Sequence, residues 1–154
     1  MAALVGIVMG SESDRDRMRA AEKVLDGFGV AYESEVMSAH RQPRRVADYS
    51  RTAEERGLGV LIAGAGMSAH LPGVLAAYTV LPVIGVPLYD ESLSGAAALY
   101  SCVQMPPGVP VAAVAIDGAK NAAVLAVQML AVADNGLRSR LHGLKKDLEE
   151  GHRL

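Results

Sequence analysis

Five strand-like segments alternate with helical ones along these 154 residues, and that alternation leaves few folds open. Leu4 to Met9 is an unbroken apolar run ended by Gly10, as expected of a strand covered on both faces, and it reads as the central strand. Strands two to five are expected at Val30–Met37, Val60–Ala63, Pro82–Leu88 and Val109–Ile116. Between the first two, Met18, Ala21, Val24, Leu25 and Phe28 draw one helical stripe, starting at Asp14 or Asp16 and stopped by Gly29. Pro43 suits the first turn of a second helix running to about Arg56, with Gly57 as its stop. Further helices are expected over Ala69–Tyr78, Leu93–Met105, Ala119–Ala133 and Leu137–Glu150, with Gly151 to Leu154 a frayed tail. Strand-helix alternation with right-handed crossovers implies a parallel sheet, hence a three-layer α/β/α sandwich. The length is that of one domain.

The polar residues are placed unevenly about this scaffold. Met9-Gly10-Ser11-Glu12-Ser13-Asp14, Ser38-Ala39-His40-Arg41 and Gly64-Ala65-Gly66-Met67-Ser68-Ala69-His70-Leu71-Pro72-Gly73 each follow a strand. At the opposite ends stand only Phe28-Gly29, Gly57-Leu58-Gly59 and Leu81-Pro82. Ligands of open parallel sheets bind beyond the carboxyl ends of the strands, so the three polar loops are expected to share one crevice.

Each loop offers a chemistry and a plainer alternative. Gly10, Ser11, Ser13 and Asp14 set main-chain amides and hydroxyls at a helix start, which suits a phosphate, with Asp14 available to ribose hydroxyls. The alternative is that Ser13 or Asp14 only caps the helix. Neither the dinucleotide spacing nor a P-loop is present, which favours a mononucleotide. In the second loop Arg41 can grip a phosphate bidentately and His40 can move a proton near neutral pH, unless both are surface residues. In the third, Gly64, Ala65 and Gly66 let the chain run close to a ligand beside His70; alternatively the small residues only permit tight packing. Three such loops on one edge favour a common ligand over three unrelated caps.

Composition removes several function classes. Net charge is −2 and there is no basic stripe with interleaved aromatics, so nucleic acid is not an expected partner. No apolar run approaches the ~20 residues of a membrane span, and Met1 leads into a strand without a basic leader, so the expected location is the cytoplasm. Hydrophobic residues reach 51%, a surplus that points to subunit interfaces. The single Cys102 excludes an internal disulfide and reads as a small buried apolar residue. His142 and His152 have no evident ligand partners and read as surface residues, as does the Arg44-Arg45 pair. Lys120 is either solvated or able to reach a phosphate in a neighbouring subunit.

These motifs resemble the 5-(carboxyamino)imidazole ribonucleotide mutase family of purine biosynthesis over nearly the whole chain. Met9 to Asp14 is similar to the family's Met-Gly-Ser-x-Ser-Asp, and Ser38 to Arg41 followed by Pro43 to its Ser-Ala-His-Arg-x-Pro. Ala63-Gly64-Ala65-Gly66, Ala69-His70-Leu71-Pro72-Gly73, Gly85-Val86-Pro87 and Val103-Gln104-Met105-Pro106 follow at the family's spacing. The resemblance implies a five-stranded, flavodoxin-like sheet and a carboxyl shift from an exocyclic nitrogen to a ring carbon of an aminoimidazole ribonucleotide, without metal or organic cofactor. It implies that Gly10, Ser11, Ser13, Asp14, Ser38, Ala39 and Arg41 bind substrate with Gly64, Ala65, Gly66 and Leu71. His40 would be the proton-transfer residue and His70 would stand beside the migrating carboxyl group, in a cytoplasmic homo-octamer with shared sites. Two departures are visible: Met67-Ser68 replaces a Gly-Ala pair, and Ala96-Ala97-Ala98 stands where relatives carry Asp-Ser.

Two other functions compete. A sister class carboxylates aminoimidazole ribonucleotide directly with carbon dioxide, but tends to lose the Ala69-to-Gly73 and Val103-to-Pro106 motifs retained here. A non-catalytic module binding a mononucleotide such as FMN is compatible with the fold, but disfavoured by one Phe, no Trp and the His40-Arg41 pair.

Overall fold

A computed structural model describes residues 4–154; the expected lead-in from Met1 lies outside them. The five strands are β1 (Leu4–Met9), β2 (Tyr32–Val36), β3 (Leu58–Gly66), β4 (Val83–Leu88) and β5 (Ala112–Ala113). All pair in parallel, in the order β2-β1-β3-β4-β5. β3, not β1, is therefore central. Two-sided burial is common to every inner strand, so an apolar run marks an inner strand without saying which one it is.

Successive side chains of each strand serve opposite layers. Val5, Ile7 and Met9 of β1 pack with Val60 and Ile62 of β3 against α1 (Arg15–Phe28), α5 (Ala119–Leu130) and α6 (Asn135–Glu149). Val8, Leu61, Ala63 and Ala65 face α2 (Pro43–Thr52), α3 (Leu71–Tyr78) and α4 (Ala96–Val103). The two clusters are the two halves of the three-layer sandwich. The stripe Met18, Ala21, Val24, Leu25 and Phe28 is buried as its spacing requires, and Gly29 ends α1 at φ 63°.

Three boundaries differ from the sequence reading in ways that matter. β3 runs from Leu58 to Gly66, so Leu58-Gly59 belongs to a strand and not to a turn, and Gly64-Ala65-Gly66 closes the strand instead of forming a loop. Their partners explain it: Gly64 aligns with Met9 of β1 and Val86 of β4, so both sides of the segment are paired. β5 shrinks to two residues because it lies at the edge, where Gly85 and Ile84 are its only strand partners and Pro110 has no N–H to donate. α2 stops at Thr52 and the chain turns as far as Gly57, whose φ is 86°.

Candidate active site

The carboxyl edges of β1, β2, β3 and β4 surround a cleft of about 730 Å³. Every sequence-nominated residue except Gly64 lines it: Gly10, Ser11, Ser13 and Asp14 after β1; Ser38, Ala39, His40 and Arg41 after β2; Ala65, Gly66, His70 and Leu71 from the β3–α3 segment. A larger cleft of about 870 Å³ between α1 and α6 contains none of these residues.

The first loop is shaped by its own serines. Ser11 is extended and caps a 3-10 turn, Glu12–Asp14, its hydroxyl accepting from the Ser13 amide at 3.4 Å and the Ser13 hydroxyl at 3.0 Å. Asp14 occupies the N-cap of α1 but makes no capping bond there, so its carboxylate is not used up in holding the helix. Partial burial raises its pKa above the ordinary carboxylate value, against opposing effects from the Ser11 main chain and the Arg17 charge. The loop is tied to the sheet by Gly10, whose amide donates to the Gly64 carbonyl at 3.1 Å.

The second loop is a turn in which the Ser38 hydroxyl accepts from the Arg41 amide at 3.2 Å. The exposed guanidinium of Arg41 extends to the Gly10 carbonyl at 3.5 Å, joining the second loop to the first. Two serine hydroxyls, an N-terminal helix turn and a permanent cation thus converge, a donor set suited to a dianionic phosphate.

His40 and His70 meet across the cleft. Nε2 of His40 lies 2.8 Å from Nδ1 of His70, with the rings edge to face at 81° and centroids 5.0 Å apart. One ring nitrogen donates and the other accepts, the roles following from the tautomers, so a single proton is shared along this contact. The sequence places both histidines on loops expected to share one crevice; the structure adds that their rings are in direct contact, although they stand 30 residues apart.

Glycine has different reasons at the two glycines of the third motif. A Cβ on Gly64 would stand 2.3 Å from Sδ of the buried Met18, so Gly64 makes room for α1. A Cβ on Gly66 would make only ordinary contacts, the nearest at 3.7 Å. Met67 then takes φ 50°, the left-handed region, and is 65% exposed at the rim of the cleft. The second departure lies elsewhere: Ala96, Ala97 and Ala98 do not line the cleft, and α4 starts at Gly95 without a side-chain cap.

Tyr89 and Asp90, after β4, also line the cleft and were missed. The rule that found the first three loops applies equally to the fourth strand, but the residues directly after it, Tyr89-Asp90-Glu91, include no Ser, His or Gly of the kind that drew attention to the others. Residues set aside on sequence are mostly placed as expected. Cys102 is fully buried, and burial pushes its thiol up to about 11. Arg45 is exposed and pairs with Glu35 at 2.8 Å. Lys120 donates to the Leu154 carbonyl at 2.6 Å. His152 does have neighbours: the turn after α6 brings it near Asp147 and Glu150, an exposed group. No helix among the described residues is long and apolar enough to cross a membrane.

Comparison with known proteins places these features in a family context. The model of the family described as AIR carboxylase matches residues 4–151. The chain is 56% identical over 145 residues to the N5-carboxyaminoimidazole ribonucleotide mutase of Pyrococcus abyssi, covering 94% of this chain and 83% of that protein. It is 51% identical over 148 residues to the enzyme of the same name from Vibrio vulnificus, covering 95% and 92%. Among solved structures, the crystal structure of Treponema denticola PurE is similar with a TM-score of 0.81 at 29% identity, covering 96% of this chain and 95% of that one.

Proposed function

This chain belongs to the AIR carboxylase family and is an N5-carboxyaminoimidazole ribonucleotide mutase of purine biosynthesis, and from that premise we propose how its residues divide the work. The observation that carries the assignment of roles is the 2.8 Å contact between His40 and His70 inside the cleft that also holds Ser11, Ser13 and Arg41.

The reaction needs a proton moved twice. Loss of carbon dioxide from the carbamate breaks the nitrogen–carbon bond, and the nitrogen takes up a proton. The electron-rich ring carbon then attacks carbon dioxide, forming the new carbon–carbon bond, and gives up its own proton. The two transfers cancel, so one imidazole that donates and then accepts returns to its starting state. His40 performs both transfers, and His70 shares its proton and stands beside the migrating carboxyl group. Phosphate and ribose are held by Ser11, Ser13, Asp14 and Arg41, with Gly10, Ser38 and Ala39 shaping the loops around them. Ala65, Gly66 and Leu71 wall the third side, so that carbon dioxide recombines before it escapes; Gly64 contributes by anchoring the first loop.

The domain is a single unit, and it works in the cytoplasm as a homo-octamer. The exposed apolar side chains of Val80, Tyr100 and Val103 support burial between subunits.

The deciding assay offers the carbamate and aminoimidazole ribonucleotide with bicarbonate in separate reactions. Fast turnover of the first is expected; turnover of the second alone makes the enzyme a direct carboxylase. His40→Asn is expected to retain nucleotide binding and lose turnover by ~100-fold or more. Equal loss of binding and turnover would give His40 a holding role instead.

A further inference from the structure

Three segments that are remote in sequence meet behind the rim of the cleft. Arg17 of α1 donates to the Tyr89 carbonyl at 2.5 Å and approaches Asp117 at 3.3 Å. The same Asp117 oxygen accepts the Tyr89 amide at 3.0 Å, so both main-chain polar groups of Tyr89 are held by side chains from other elements. The guanidinium also lies 5.8 Å from the centre of the Tyr89 ring. Asp117 itself is fixed, its amide donating to the Pro87 carbonyl at 2.9 Å, and it adopts φ 56°. A non-glycine residue in the left-handed region costs free energy that its surroundings must supply, and such residues concentrate at functional sites.

We propose that Arg17 and Asp117 are positioning residues for the mutase reaction: their joint grip on Tyr89 sets the loop from Tyr89 to Gly95 against the nucleotide cleft. The inference rests on reading that cleft as the ribonucleotide site. Beyond Tyr89 the loop is bound to itself, the Asp90 carboxylate accepting from the amides of Ser92 at 3.0 Å and Leu93 at 3.2 Å. It leaves through Gly95 at φ 80°. A loop that is internally stiff and gripped at Tyr89 moves as one piece when the grip is lost, and Tyr89 and Asp90 leave the cleft wall with it.

The ion pair is poorly placed to serve stability. Arg17 and Asp117 side chains are each 43% exposed, a setting in which ion pairs contribute little to folding. Effects of their removal should therefore be seen in substrate affinity and not in melting temperature.

The test compares Arg17→Ala, Asp117→Gly, which removes the carboxylate and suits the left-handed backbone, the double variant and Arg17→Lys with wild type. Each single variant, Arg17→Ala or Asp117→Gly, is expected to raise KM for the carbamate about tenfold while kcat stays within twofold and the melting temperature within about two degrees. The double variant should be no worse than either single one, because the grip needs both residues. Arg17→Lys, which keeps the charge, should recover most of the loss. KM unchanged in an active enzyme, additive losses in the double variant, or a KM rise that tracks a fall in melting temperature would each overturn the proposal. Calorimetric binding of aminoimidazole ribonucleotide separates this inference from the functional reading. Wild type that binds it without isomerising the carbamate defeats the reaction assignment and leaves the grip to be judged on Kd; wild type that does neither defeats both.

Discussion

Gly64→Ala is the substitution whose cost follows most directly from the geometry. The added Cβ would lie 2.3 Å from Sδ, 2.9 Å from Cγ and 3.0 Å from Cε of Met18. Optimal carbon and sulfur contacts are near ~3.8 Å, so the thioether must move by about 1.5 Å. Met18 is fully buried and has no solvent to move into, but it is flexible, which keeps the cost at the ordinary overpacking value of about 1–3 kcal/mol. The clash lies on the strand whose Gly64 carbonyl accepts from the Gly10 amide, so the phosphate loop shares any displacement.

Urea denaturation of wild type, Gly64→Ala, Met18→Ala and the double variant at one protein concentration tests this as a cycle. Met18→Ala alone should cost about 2–5 kcal/mol through the cavity it leaves. In the double variant the new methyl meets empty space, so the combined loss should fall short of the sum by about 1 kcal/mol or more. Additive losses, or Gly64→Ala within about 0.5 kcal/mol of wild type, would refute a packing role for this glycine and return it to the ligand.

Asp14 and Cys102 give independent checks. Burial holds the Asp14 carboxyl above its unfolded pKa, so between the two values the folded chain binds more protons and stability falls as pH rises. Asp14→Asn should therefore be more stable than wild type at neutral pH, the gap closing as pH drops through the raised value towards 3.8; a gap that widens on acidification would reverse the assigned cause. The Cys102 thiol, buried and pushed up to about 11, should resist a disulfide reagent at pH 8 in the native enzyme and react at once in urea. Rapid native labelling would contradict its burial.

The parts legible in the sequence are those set by local periodicity or by a rule about strand ends. The stripe Met18, Ala21, Val24, Leu25 and Phe28 needs only 3.6-residue spacing, and all five residues are buried. The loops after β1 and β2 needed only the placement of Ser, His and Arg beyond a strand. What could not be read depends on partners distant along the chain. Gly64-Ala65-Gly66 looks like a flexible loop in isolation, and it is strand because Met9 on one side and Val86 to Leu88 on the other supply its hydrogen-bonding neighbours. Composition cannot report such a pairing, since small residues suit a ligand loop and a crowded inner strand equally.

The same limit explains Arg17 and Asp117, which are 100 residues apart and belong to no motif. Each alone has the profile of a surface charge, and on the solvent-exposed end of a helix that is the correct default. Only the strand order changes the inference. It places the β4 and β5 loops side by side across from the start of α1, and a main-chain segment with both polar groups engaged lies between them. Residues that carry chemistry announce themselves by type, as His40 and His70 do. Residues that only hold another segment in place have no type to announce, and they become visible when the question is which side chains satisfy the main chain at the rim of the cleft.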